Sequence, residues 1–262
     1  MVQQAQGAGS AIQGKRMLAG DGLMTAGLLG LASLGWWWSA RMTHEMAMGS
    51  GMSTSKVQAS MAFVAFVAAW VAMMGAMMFP AIVPVVLIFR RAAARGQVAP
   101  TPIFVAGYLF VWSAIGVPVY FAWRALQGPV AGGAPWAARL AGGAFLFAAA
   151  YQVSPLKSVC LRHCRNPMSF FLRQHRNLRR PLGAVSAGVS HGLVCLGCCW
   201  ALMAILVTLG TMQMAWMLAV AALIFFEKVT FAGERVAQLV AVPFSVLGVG
   251  LLIHPVSLGW IT

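Results

Sequence analysis

The chain alternates long apolar segments with short polar ones. A helix needs about 20 predominantly apolar residues to cross the hydrocarbon core of a bilayer, and seven segments fit this description. They cover approximately residues 20–40, 60–89, 103–125, 136–153, 183–208, 213–227 and 236–254. Backbone groups in lipid must be hydrogen-bonded internally, and the alternation typical of transmembrane barrel strands is absent. The pattern predicts an all-α fold, a polytopic transmembrane helix bundle of about seven spans.

Composition and charge agree with a membrane protein. Of the 262 residues, 61% are hydrophobic and 8% are charged, whereas a soluble domain carries about 25% charged residues. If the seven segments alternate in direction, 14 of the 18 basic residues fall on one side, and only Arg41, Lys56, Arg124 and Arg139 fall on the other. The positive-inside rule then places the N-terminus in the cytoplasm and the C-terminus outside. This distribution indicates a multi-pass membrane protein and argues against a nucleic-acid partner.

The predicted organisation is one membrane domain with polar ends. Residues 1–19 are predicted as a cytoplasmic tail, residues 20–254 as the bundle and residues 255–262 as a periplasmic tail. Residues 154–182 form a basic cytoplasmic loop, in which Pro155 can begin a short helix. The segment MSFFLRQHRNLRR suits a helix lying on the anionic inner leaflet. Its predicted lipid contacts are Arg173, Arg176, Arg179 and Arg180.

The segment HGLVCLGCCWALM carries the densest set of candidate ligands. On a helix, Cys195 lies about 40° from His191, and Cys198 lies about 20° away on the other side. Cys199 lies about 80° from His191, on the same side as Cys195. We expect His191, Cys195 and Cys198 to point into the bundle, because the alternative leaves polar groups in hydrocarbon. Imidazole and thiol ligands together select Cu(I) or Zn(II) over Mg²⁺ or Ca²⁺. The alternative is that the cysteines are small apolar residues that pack a helix interface.

A second group of thiols follows the fourth apolar segment, in YQVSPLKSVCLRHCRNP. Cys160 and Cys164 share a face if the segment is helical, with His163 adjacent. The neighbouring arginines and Lys157 are expected to lower the pKa of these thiols and favour the metal-binding thiolate. The alternative is a pair of reduced cytosolic cysteines without a function.

Methionines supply a third group, in MMGAMM of the second apolar segment. Met73 with Met77, and Met74 with Met78, are overlapping i, i+4 pairs. Thioethers bind Cu(I) but are poor ligands of Zn(II), so the pairs are candidates for a copper pathway. Methionine also fills irregular helix interfaces, which is the structural alternative.

Two further candidates are less specific. The outer loop after the first apolar segment contains His44 and Met46, which could capture a metal. Glu227, at the end of the sixth segment, could pair with Lys228 or an arginine, or could orient His191 as a second-shell partner.

The motifs MMGAMMFPAIVPVVLIFRR, YQVSPLKSVCLRHCRNP, SHGLVCLGCCWALM and FFEK resemble those of a bacterial family. It is the domain-of-unknown-function family 2182, of predicted metal-binding integral membrane proteins, and the resemblance covers roughly residues 60–250. The resemblance implies that the family pattern includes Cys160, Cys164, His191, Cys195, Cys198, Cys199 and Glu227. The methionine pairs separately resemble the Met-xxx-Met element of eukaryotic copper transporters.

The leading functional hypothesis is Cu(I) binding, with transfer across the membrane or delivery to a membrane metalloenzyme; zinc is the alternative metal. A second hypothesis is an accessory subunit of a larger membrane complex. A third is a thiol–disulfide or quinone-linked redox protein, which the predicted cytosolic side of the cysteines disfavours. Four acidic residues in the whole chain leave little for acid–base catalysis.

Overall fold

The computed structural model describes residues 2–48, 63–132, 134–165, 178–209 and 214–254. Within these ranges the chain forms helices and turns, and no strand. The helices are α1 (Val2–Met48), α2 (Phe63–Ala94), α3 (Thr101–Ala131), α4 (Pro135–Gln152), α5 (Pro155–Arg165), α6 (Pro181–Leu209), α7 (Met214–Val229) and α8 (Gly233–Ile253). Each of the seven predicted apolar segments is a helix, which confirms the all-α fold class.

Five helices are long and apolar enough to cross a membrane. They are Leu18–Arg41 within α1, Phe63–Ala94, Thr101–Val130, Pro181–Leu209 and Gly233–Ile253. The pair α4 and α5 is a sixth candidate if a helix bent by 67° counts as one span. Helix α7 has only 16 residues. The span count of seven, and the side of the membrane on which each terminus lies, stay predictions.

Two boundaries differ from those predicted. Helix α1 begins at Val2 and continues to Met48, so the segment predicted as a polar tail and the start of the predicted outer loop are both helical. The composition explains the difference, because residues 2–19 contain several alanines and glutamines and no proline that would end a helix.

Neighbouring helices run in the directions that an alternating path requires. Helices α1 and α2 are antiparallel: Gly35 packs on Ala72, and at the other end of the pair Asp21 accepts hydrogen bonds from Arg90 and from Arg91, the latter at 2.7 Å. The ion pairs fix the register of the two helices at the end that the charge pattern assigns to the cytoplasm.

Helices α3 and α6 run parallel and in close contact, and they form one wall of the site described below. A Cβ atom on Gly188 would lie 2.1 Å from the carbonyl oxygen of Phe104, and one on Gly107 would lie 2.4 Å from that of Val185. Neither separation is possible for real atoms, so glycine is required at both positions. Small residues allow this backbone approach, as is common between helices in membranes.

Helix α4 ends beside the middle of α6. The hydroxyl of Tyr151 donates a hydrogen bond to the carbonyl oxygen of Gly197. The chain then bends at Val153 and Ser154, and the Ser154 hydroxyl accepts a hydrogen bond from the backbone N–H of Lys157 at 3.2 Å. A serine that satisfies a free N–H group is a common way to begin a helix. The bend lays α5 against the middle of α6 and the end of α7, which brings its cysteines to the bundle.

Candidate metal centre

Four cysteine side chains come together where α5 meets α6. We define the thiol cluster as Cys164, Cys195, Cys198 and Cys199. Cys164 of α5 lies within hydrogen-bonding reach of Cys195 and Cys198 of α6, and all four side chains are buried. The cysteines are free thiols. The two groups of cysteines that are separated in the sequence therefore form one site.

Cys195 lies at the centre of the cluster. Its sulfur is 2.8 Å from the Nζ atom of Lys228 and 3.2 Å from the hydroxyl of Tyr108. The thiols of Cys198 and Cys199 each donate to the Cys195 carbonyl oxygen at 3.0 Å. Helices α3 and α7 thus each bring a polar atom to one fully buried sulfur of α6.

His191 lies one helical turn before Cys195 and is buried, as predicted for the ligand face of α6. Its ring lies between two aromatic rings of α3, with centroids 6.1 Å from those of Phe104 and Tyr108. Cys195 and Cys198 are also buried, so the prediction that these three side chains point into the bundle is confirmed.

One of the methionines reaches the thiol cluster through Lys228. The Sδ atom of Met78 is 3.7 Å from Lys228 Nζ, so the ammonium group lies between a thioether and a thiol. Met73, Met74 and Met77 are buried in α2 as well. Met74 is one turn from Met78 and shares its face.

The remaining residues of the α5 motif do not join the cluster. Cys160 is half-buried at its edge, with its sulfur packed against Gly197. Cys160 lies in α5, which is not one of the five membrane-length helices. Burial raises the pKa of its thiol, and nearby Cys198 raises it further. The predicted lowering of this pKa by basic neighbours is wrong, because Lys157 turns inward to a carboxylate.

His163 is not part of the thiol cluster, although it was a predicted ligand. It is exposed, and its Nδ1 atom lies 2.9 Å from the Val159 carbonyl oxygen of its own helix. The reason is helical geometry, since a neighbour of Cys164 in sequence lies about 100° around the helix.

Glu227 binds partners other than those predicted. Its Oε1 accepts a hydrogen bond from Gln152 at 2.9 Å, and its Oε2 forms an ion pair with Lys157 at 2.8 Å. Gln152 also accepts a hydrogen bond from Lys157. These contacts differ from the suggested ones with Lys228, an arginine or His191. The three side chains instead join α4, α5 and α7 in a fully buried polar group.

Other predicted site residues lie away from the cluster or outside the described parts of the structure. Arg179 and Arg180 are exposed, as a lipid-headgroup contact requires. Arg173 and Arg176 lie outside the described residues. His44 and Met46 belong to the last turns of α1, and their side chains are not among those described.

The donor set of the cluster suits a soft metal. Among the described residues, no three His, Cys, Asp or Glu side chains already stand in the arrangement of a bound metal ion. The available donors are thiols, a thioether and an imidazole, which favour Cu(I) over hard cations. A metal could bind after the Lys228 ammonium leaves the sulfur of Cys195.

Residues 67–251, more than half of the chain, match the family described as PpoB2, copper chaperone. The chain belongs to this copper chaperone family. No curated protein and no solved structure matches the chain. The part that matches the copper chaperone family includes the thiol cluster, Met78 and Lys228, and it leaves out His44 and Met46. The name domain-of-unknown-function family 2182 rests on the resemblance alone.

Sequence reasoning missed two polar residues that contact the thiol cluster, Lys228 and Tyr108. Lys228 was counted among the basic residues that flank a span, and Tyr108 was read as part of an apolar segment. The signal for Lys228 is the shortness of α7: a helix of 16 residues extends about 24 Å. A charged residue at its end therefore lies beside longer helices and not beyond them.

Proposed function

We propose that this protein binds Cu(I) at the thiol cluster within the bacterial inner membrane and delivers it to a membrane metalloenzyme. The observation that carries the proposal is the gathering of Cys164, Cys195, Cys198 and Cys199 into one buried site. Membership of a copper chaperone family supports copper as the metal. Several thiols on separate helices can exchange a soft ion, which delivery requires.

The ligand types support Cu(I) as the oxidation state. Thiolate and thioether sulfur favour Cu(I), and thioethers hardly bind Zn(II). Met78 lies one Lys228 side chain away from Cys195, and Met74 and Met77 continue the thioether surface along α2. We propose that these methionines bring Cu(I) to the thiols and that His191 adds a nitrogen donor. A zinc protein would gain nothing from the methionines.

Metal binding to the purified protein tests the proposal. The full-length protein in mild detergent is reduced, loaded with Cu(I) and freed of excess metal. Elemental analysis should give copper near one equivalent. Competition with a chromophoric Cu(I) chelator gives the affinity, and Cys195→Ser should weaken it at least about 100-fold, more than loss of an outer-shell contact does.

Cys160→Ser is the matched control, because Cys160 lies on α5 at the edge of the cluster. This variant should keep copper content and affinity close to those of the wild type. Equal losses in the two variants would argue against the thiol cluster. Zinc bound in preference to copper would overturn the proposal.

If the protein delivers copper, it should contact an acceptor protein transiently. A membrane metalloenzyme should gain copper from the loaded protein in vesicles that contain both, and the transfer should fail with the Cys195→Ser variant. A partner that co-purifies in a fixed ratio would instead favour the accessory-subunit alternative.

A further inference from the structure

Lys228 is a buried cation whose partners in the structure are sulfur atoms. Its side chain is 8% exposed, and its Nζ atom contacts Cys195 Sγ at 2.8 Å and Met78 Sδ at 3.7 Å. Among the described residues, no carboxylate lies within ion-pairing distance of it. Burial of an ammonium group without a carboxylate is costly, so a position of this kind calls for a function.

Three acidic residues have described side chains, and each of them is paired with another basic residue. Asp21 binds Arg90 and Arg91, Glu227 binds Lys157, and Glu234 lies 3.4 Å from Arg162. Glu227 is the residue next to Lys228 in sequence, yet it faces the α4–α5 bend. Helix α7 therefore directs the Glu227 carboxylate to Lys157 and the Lys228 ammonium group to the sulfur atoms of Cys195 and Met78.

The Lys228 ammonium group lies where the metal would pass from the methionines to the thiols. A soft cation that passes from Met78 to Cys195 must come within bonding distance of both sulfur atoms. The Nζ atom already contacts both of these sulfur atoms. Entry of the metal therefore requires Lys228 to withdraw while its positive charge stays near the site.

We propose that Lys228 is a charge-selecting gate residue that admits monovalent soft ions and opposes divalent ones; this inference rests on the proposed function. Coulomb repulsion grows in proportion to the charge of the entering ion. A fixed ammonium group beside the cluster thus penalises Zn(II) twice as strongly as Cu(I). Sulfur donors alone do not exclude divalent soft ions, because thiolates also hold Zn(II) in structural sites.

Four metal ions separate charge from softness in the test. Cu(I) and Ag(I) are monovalent, and Zn(II) and Cd(II) are divalent. The affinity of each is measured for the full-length wild type and for Lys228→Gln, and the divalent-to-monovalent affinity ratio is compared. Lys228→Gln should raise that ratio about tenfold, whereas Lys228→Arg, which keeps the charge, should leave it near the wild-type value. A ratio is insensitive to a general loss of folding or of thiol reactivity.

Arg162→Gln is the matched control, since it removes one positive charge from the exposed face of α5. It should leave the ratio unchanged. An unchanged ratio in Lys228→Gln, with Cu(I) still bound, would overturn the gate and leave the copper function intact. Failure of the wild type to bind Cu(I) or Ag(I) would instead overturn the proposed function.

A measurement on the wild type covers the case in which the variants do not fold. The chain contains four lysines, so selective ¹⁵N-lysine labelling gives an assignable set of ammonium signals. Saturation with Ag(I) should shift the signal of Lys228 and leave that of Lys157, which is held by Glu227. A Lys228 signal that stays unchanged at full Ag(I) occupancy would contradict displacement by the metal.

Discussion

Two lysines are buried within the same region of the bundle, and they have opposite kinds of partner. Lys157 is 1% exposed and forms an ion pair with Glu227, supported by Gln152. Lys228 is 8% exposed and contacts the sulfur atoms of Cys195 and Met78. The ion pair between Lys157 and Glu227 joins α5 to α7 and therefore holds these helices together. A thiol can exchange an ammonium for a metal, so the second contact can open.

The difference shows how one short helix serves both stability and chemistry. Glu227 and Lys228 are adjacent in α7, and successive side chains on a helix point about 100° apart. One side chain therefore reaches the α4–α5 bend and the other reaches α6. Variants that change only the Lys157–Glu227 contact, or only the contact of Lys228 with sulfur, would support separate roles for the two lysines. A single substitution that disturbs both contacts would argue against separate roles.

The largest expected effect comes from Glu227→Gln. It leaves the Lys157 ammonium buried without a charge partner, which should lower the free energy of unfolding by about 3–5 kcal/mol. Thermal unfolding in detergent measures this loss, while Cu(I) affinity of the folded fraction should stay close to that of the wild type.

Glu234→Gln is the control for that experiment, because its pair with Arg162 is exposed and should contribute less than about 1 kcal/mol. The combined variant Lys157→Met with Glu227→Leu removes both buried charges and should recover much of the stability. If Glu227→Gln abolished copper binding in folded protein, the two contacts would not be separate.

Met78→Leu should act on copper arrival more than on stability. Leucine has a volume similar to that of methionine, so the cost in unfolding free energy should stay below about 1.5 kcal/mol. Without the thioether next to Lys228, the rate of Cu(I) uptake in a stopped-flow competition should fall, while the final occupancy stays near that of the wild type.

Changing Met73, Met74, Met77 and Met78 together to leucine extends the test to the whole methionine surface. Cu(I) uptake should slow further, and Zn(II) loading should not change. Copper uptake at the wild-type rate in the fourfold variant would remove the methionines from the mechanism.

A smaller effect is expected from Tyr108→Phe. The change removes the hydrogen bond between the Tyr108 hydroxyl and Cys195, a contribution of about 1 kcal/mol. Unfolding free energy should fall by about that amount, and the competition assay should show a modest change in Cu(I) affinity. Tyr120→Phe, a buried tyrosine away from the cluster, should leave the affinity alone.

The smallest effect is expected at His163. Because its ring is exposed and bonded to its own helix, His163→Ala should change neither copper content nor stability in the same assays. Cys164→Ser, at the next position, should lower Cu(I) affinity clearly. Copper loss in His163→Ala would show that α5 sits differently in the loaded protein.

The sequence predicted the helices and the buried face of His191, Cys195 and Cys198 well, because both depend on local pattern. Apolar length located each helix, and the helical period placed His191, Cys195 and Cys198 on one face. The period could not join Cys164 to Cys195, since that contact depends on the 67° bend between α4 and α5. A serine between two helices indicates a helix start but gives no angle.

The partners of the buried charges were beyond the sequence for a related reason. Glu227 could have paired with any of several basic residues near the same membrane face, and the choice of Lys157 follows from how α5 packs. His163 looked like a ligand because it is close to Cys164 along the chain, whereas distance around the helix decides the outcome. Lys228 looked like an ordinary flanking charge because its place after an apolar segment guided the prediction, and the shortness of that segment was not used.

The close contact of α3 and α6 at their glycines determines which part of the metal centre can move. Since Gly107 and Gly188 bring two backbones into direct contact, sliding of one helix along the other would produce a clash, and Tyr108 and Cys195 keep a fixed spacing. The opposite wall is held by polar side chains, Lys157 with Glu227 and Arg162 with Glu234. We therefore expect the metal ion to leave through a hinge motion of α5, while the α3–α6 pair stays rigid.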